Sequence, residues 1–313
     1  MSKFLTAAVL AAAMASVGCG TPVAATEAPD LSGRTLRVVA TTSMVADLVT
    51  QVAGDRATVT GLMGSGIDPH GYKASERDVM TLAEADVVFY NGLHLEAKMS
   101  DVFERVEGRI VTAAVTDGLP RDRLVHSPQF TGAYDPHVWF DVSLWREAAS
   151  EVADVLAGVD PAHADVYARN AEAYRGELAR LDEDVRALVA SVPRERRVLV
   201  TAHDAFGYFG RAYGFEVHGL QGISTVAEAG AADVQRLADF IAERRIPAVF
   251  VESSVPQQTI RAVQEAVGSR GFEVEIGGQL FSDAMGDPGT PEGTYPGMVL
   301  HNVRTIADAL RDG

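Results

Sequence analysis

From Leu36 onward, short apolar runs alternate with segments whose apolar residues recur at helical spacing. The run from Leu36 to Thr42 predicts a strand, and Ser43 to Ala53 predicts a helix that stops at Gly54. Ala57 to Met63 predicts the second strand. Ser75 to Ala85 predicts the next helix, opened by Ser75 with Asp78 three residues on as a capping pair. Val87 to Asn91 and Ile110 to Val115 complete four strands in the first half. In the second half Val198 to Ala202, Glu216 to Leu220, Ala248 to Val251 and Phe272 to Ile276 read as strands, with helices near 204 to 213, 232 to 245 and 256 to 267. This alternation predicts an α/β fold of two parallel-sheet lobes.

One helical pattern separates the halves. Tyr167, Ala171, Tyr174, Leu178, Leu181, Val185 and Leu188 follow at alternating spacings of four and three, giving an apolar stripe between Pro161 and Ser191. Pro161 suits a first turn, and Pro193 lies just past the end. Some 30 residues at about 1.5 Å each make a rod of roughly 45 Å, long enough to lie across two lobes. A coiled-coil dimer is the rival reading of the stripe. The expected organisation is a lipoprotein-type signal over 1–18, a flexible tether over 19–34, an N-terminal lobe over 35–160, a rigid linking helix over 161–191 and a C-terminal lobe over 192–313.

Composition adds limits. A chain of 313 residues that is 47% hydrophobic and 22% charged is neither disordered nor collagen-like and buries a real core. Its formal charge of −16 disfavours nucleic acid and suits a cationic ligand, a basic partner or plain solubility. Lys3, the apolar run Phe4 to Val17, and Gly18-Cys19-Gly20 read as an export signal in which the single cysteine, Cys19, takes a lipid; plain cleavage after Ala24 or Ala25 is the alternative. No later apolar stretch approaches the roughly 20 residues that span a bilayer.

The tripeptide Asp-Pro-His occurs twice, at Asp68-Pro69-His70 and Asp135-Pro136-His137, where this composition predicts about 0.02 copies by chance. Each proline holds the preceding aspartate extended and stiffens the loop just ahead of the imidazole. His70 follows the second strand, His137 the fourth, His203 ends the fifth, and Asp283 follows the last. Carboxyl ends of strands are where open α/β sheets hold ligands. If the lobes face each other, three imidazoles and one carboxylate converge in the cleft, a set suited to a divalent transition metal as a closed tetrahedral or a five-coordinate site. Asp68 and Asp135 are candidate acceptors for imidazole N–H groups or simply fix their loops, and Glu252 supports the cleft or satisfies backbone or an arginine. His94, His126, His163, His218 and His301 share no pattern and read as structural or solvated. Trp139, Phe140 and Trp145 read as packing beside the second histidine loop.

Gly66-Ile-Asp-Pro-His-Gly-Tyr72, Ala85-Asp-Val-Val-Phe-Tyr-Asn-Gly-Leu93 with Glu96, Asp135-Pro-His-Val-Trp-Phe-Asp141, Thr201-Ala-His-Asp-Ala-Phe-Gly-Tyr-Phe209 and Phe281-Ser-Asp283 resemble the solute-binding lipoproteins of metal-ion ABC importers, the cluster A-I group called TroA-like or ZnuA-like. The resemblance runs from about Leu36 to Leu310. It implies two α/β lobes bridged by a long helix, with metal between them on His70, His137, His203 and Asp283. Manganese-selective members tend to carry glutamate at the position of His203, so three histidines imply zinc first and manganese second. Zinc-specific members often carry a long His-rich and acidic loop here, but Asp117 to Tyr134 is short and holds only His126. The implied partners are an integral permease and an ATPase, with a monomeric chain held outside the cytoplasm, lipid-anchored or periplasmic. The chain has no ATP loop of its own, because none of its three lysines follows a glycine. An exported metallohydrolase using the same ligands is the alternative, though no histidine is followed by glutamate and no serine sits in G-x-S-x-G. A surface adhesin is a further one, for which no residue argues. A rigid connector implies small adjustments on binding and no wide closure.

Overall fold

The computed structural model describes residues 31–106, 108–127 and 131–311. The predicted signal and most of the tether lie outside them. The last four tether residues are attached: Leu31 is buried in the core, and the Arg34 guanidinium grips Asp86 at 2.6 and 2.7 Å.

In the first half, β1 (Leu36–Ala40), β2 (Ala57–Gly61), β3 (Val87–Tyr90) and β4 (Val111–Ala114) form one parallel sheet in the order β2-β1-β3-β4. Helices α1 (Ser43–Ala53), α2 (Glu76–Ala83) and α3 (Ser100–Val106) connect or follow them. The Ser75/Asp78 capping pair is present at α2: the Ser75 hydroxyl accepts from the Asp78 amide and the Asp78 carboxylate accepts from the Ser75 amide. In the second half β5 (Val198–His203) pairs in parallel with β6 (Glu216–Gln221), and β7 (Ala248–Glu252) with β8 (Glu275–Leu280).

Three helices carry the space between. α4 (Val142–Val159) packs on α5 (Ala164–Ala190), and α9 (Tyr295–Arg311) packs against α5 and β8. The remaining helices, α6 (Gly207–Tyr213), α7 (Ala231–Arg244) and α8 (Gln258–Gly268), flank the second-half strands. The predicted stripe on α5 is buried within its own chain, with Val189 fully enclosed in place of the half-buried Leu188, so the stripe offers no coiled-coil seam. One hydrophobic core runs through both halves, from Val38 and Phe89 through Trp145 and Tyr174 to Phe250 and Met298. This shared packing, beside the linking helix, ties the two halves together.

The sequence reading misses α3, α4 and α9 and places β8 three to four residues early. Gly277 and Gly278 disguise β8 as a turn. Both are needed in the strand: a Cβ on Gly277 would stand 2.7 Å from the Phe250 ring, and Gly278 has φ +141°. The start of α4 is marked by Asp141, whose carboxylate accepts from the Ser143 and Leu144 amides.

Candidate metal centre

Both Asp-Pro-His turns fold the same way. The Asp68 carboxylate accepts the His70 amide at 2.8 Å, and the Asp135 carboxylate accepts the His137 amide at 2.9 Å. Each histidine is thereby aimed by the aspartate two residues before it. At the second turn the same Asp135 oxygen also takes the His137 ring Nδ1–H at 2.7 Å. His203, the last residue of β5, is held by Glu252 at the end of β7: one oxygen accepts its amide at 2.8 Å and the other its Nδ1–H at 2.6 Å. Glu252 therefore supports the cleft directly. Asp283 follows β8, and Ser254 donates to its Oδ2 at 3.3 Å.

These placements bring four groups together. One ligand atom from each of His70, His137, His203 and Asp283 lies within 4.8 Å of all the others, and all four residues are buried. His70 Nε2 stands 3.2 Å from His137 Nε2, His137 Nε2 stands 3.4 Å from Asp283 Oδ1, and His203 Nε2 stands 3.2 Å from Asp283 Oδ2. A tetrahedron with arms of about 2.05 Å has edges of about 3.3 Å, so these spacings suit zinc coordination by nitrogen and oxygen. His203 Nε2 and Asp283 Oδ1 are buried without a hydrogen-bond partner among the described residues. Two orphaned polar atoms aimed at one point call for a cation there. With Nδ1 of His137 and His203 committed to carboxylates, both rings present Nε2.

The charges divide sharply. Burial opposes an imidazolium at His137, but Asp135 and Asp283 outweigh it and push the ring up to about 9. Burial is likewise outweighed at His203 by Glu252 and Asp283, which hold it well above the ordinary value. His70 has no carboxylate of its own, and burial with two cationic neighbours lowers it to about 3. Asp283 stays ionised well below the usual carboxylate range, because the facing histidines overcome its burial. The raised values of His137 and His203 favour protons on the Nε2 atoms that face the cluster.

Among the described residues, the other histidines stay away from this point. His126 stacks on Tyr134, His163 bonds Asp160, His218 bonds Glu216, His301 bonds the Gln279 carbonyl, and His94 is exposed. Trp139 does more than pack, whereas the buried Trp145 indole N–H has no partner among the described residues. The Trp139 indole N–H donates to the Ser282 carbonyl at 3.0 Å, joining the His137 turn to the Asp283 loop. Asn91, from the end of β3, donates to the Pro136 carbonyl at 3.0 Å, and Tyr208 donates to the Asp135 carbonyl at 2.9 Å. No periodicity marks these three; only the neighbourhood of each motif hints at them.

A family model described as zinc-uptake complex component A, periplasmic, matches residues 38–309. The chain belongs to this family. It is 48% identical over 311 residues to the manganese-binding lipoprotein MntA of Bacillus subtilis, covering 99% of this chain and 100% of that one. It is 50% identical over 273 residues to the zinc-binding protein TroA of Treponema pallidum, covering 87% of this chain and 88% of that one. The solved structure of that periplasmic protein superposes with a TM-score of 0.86 over 88% of this chain and 99% of its own. Members are extracytoplasmic solute-binding components of ABC importers and not enzymes, working with a permease and an ATPase. The metallohydrolase alternative has no support from the relatives, and two carboxylates beside the site, Asp135 and Glu252, are committed to imidazole N–H groups.

Proposed function

We propose that this chain captures a divalent transition metal outside the cytoplasmic membrane, on His70, His137, His203 and Asp283, and delivers it to the permease of an ABC importer. The observation that carries this reading is the set of buried donors at tetrahedral edge distances with two of them orphaned. Zinc is the first cargo, because three imidazole nitrogens and one oxygen favour it over manganese in intrinsic affinity. Manganese is the second, supported by the similarity to a relative named as manganese-binding. Isothermal titration at pH 7.5 tests the site: zinc binding is lost in His70→Ala and His203→Ala, and undiminished affinity in both removes the reading. Competition between zinc and manganese, with elemental analysis of protein from its own host, orders the metals.

The proposal includes the ends of the chain. Residues 1–18 are a lipoprotein signal, Cys19 carries the lipid, and the residues from there to the attached Leu31 are the tether. The working unit is a monomer with lobes over 35–160 and 192–313 and the linking helix over 161–191.

A further inference from the structure

The four ligands are not equally held. His137 and His203 are each clamped through Nδ1 by a carboxylate at 2.7 and 2.6 Å, and neither has any exposed surface. Asp283 is 1% exposed, whereas His70 is 5% exposed. Among the described residues, the His70 ring bonds only to the imidazole of His137, and no carboxylate meets its far nitrogen. His70 also lines a cavity of about 850 Å³, walled mostly by apolar residues that include Leu93, Pro136, Ile223 and Val226. A cation reaching or leaving the buried donors therefore passes on the His70 side.

On that side the first half is fastened to the second by two side-chain bonds. Asp68 uses its two oxygens on opposite halves: Oδ1 accepts the His70 amide at 2.8 Å, and Oδ2 accepts the Thr225 hydroxyl at 2.5 Å. Ser65, on the same turn, donates to Asp287. Thr225 stands between Ser224 and Val226, which wall the cavity. The backbone of the least restrained ligand is thus pinned through one carboxylate to the wall of the passage. We propose that Asp68 and Thr225 are positioning residues for metal retention, a latch that holds the His70 turn against the second half and must part for the cation to exchange. This rests on the proposed function of the site, since it names the ligand through which that site opens.

The test compares Thr225→Val, which keeps shape and removes the hydroxyl, with Thr225→Ser, which keeps the hydroxyl. Zinc-loaded protein is mixed with excess chelator and release is followed by stopped flow. A hydrogen bond to a charged group is worth enough that release from Thr225→Val is expected to be roughly tenfold faster or more, with Thr225→Ser close to wild type. In parallel, amide hydrogen exchange is measured on the metal-free proteins. Exchange across 66–72 rises in Thr225→Val alone, while the 135–140 turn is unchanged. A release rate within twofold of wild type, or equal acceleration in both variants, overturns the latch. If wild-type protein takes up neither zinc nor manganese, the proposed function fails, and exchange in the metal-free proteins decides the latch: protection across 66–72 unchanged in Thr225→Val then overturns it.

Discussion

Metal uptake by this site is expected to release about two protons near neutral pH, and its affinity is expected to keep rising with pH well past the range of an ordinary histidine. In the metal-free protein Asp135 and Asp283 push His137 up to about 9, and Glu252 and Asp283 hold His203 higher than usual, whereas His70 is already neutral. Coordination through Nε2 removes one proton from each of the first two rings and leaves Nδ1–H on its carboxylate. Below about pH 9 the His137 proton alone makes the apparent association constant climb roughly tenfold for each pH unit, and the raised His203 steepens that climb. Histidines near the usual 6.5 give a plateau above about pH 7 instead. Titration calorimetry in buffers of different ionisation enthalpy counts the protons, and competition with a chelator from pH 6.5 to 9 follows the affinity. Fewer than one proton released at pH 7.5, or an affinity level above pH 7.5, refutes the reasoning. Stability follows with opposite signs. The raised His137 contributes about 3 kcal/mol to the metal-free fold, present in full below 6.5 and lost as pH rises through about 9. The metal-free protein loses this contribution over that window, and the loaded protein gains binding energy. The difference between their Tm values widens with pH.

Other outcomes are expected on the same grounds. Glu252→Gln leaves His203 without its anionic partner and weakens zinc about ten- to a hundredfold by calorimetry, with little change in the folded spectrum. Leu178→Ala empties a fully buried place on α5 and costs about 2–5 kcal/mol in urea unfolding, while zinc affinity measured on the folded protein stays within a few-fold. Solution scattering with and without zinc shows a radius of gyration constant within about an ångström, because one core spans both halves; a change of several ångströms contradicts that packing.

The repeated Asp-Pro-His and the strand ends made the ligands legible in sequence, since each is set by local geometry: the proline, the aspartate two residues ahead, and a strand that stops. The carboxylates behind two of the rings were only half legible. Glu252 reaches His203 because β5 lies beside β7, which is a tertiary fact. α4 and α9 escaped because their apolar faces sit among small residues such as Ala148 and Ala149 or behind a glycine and proline such as Pro296 and Gly297. β8 escaped because its glycines serve close packing, and that need is invisible until Phe250 and Thr305 are placed over them.

A hydrophobic cluster shared by both halves ties them together, so an opening that admits a cation is expected to be local. The cavity beside His70, edged by the exposed Val226, is where such a local change would reach the surface.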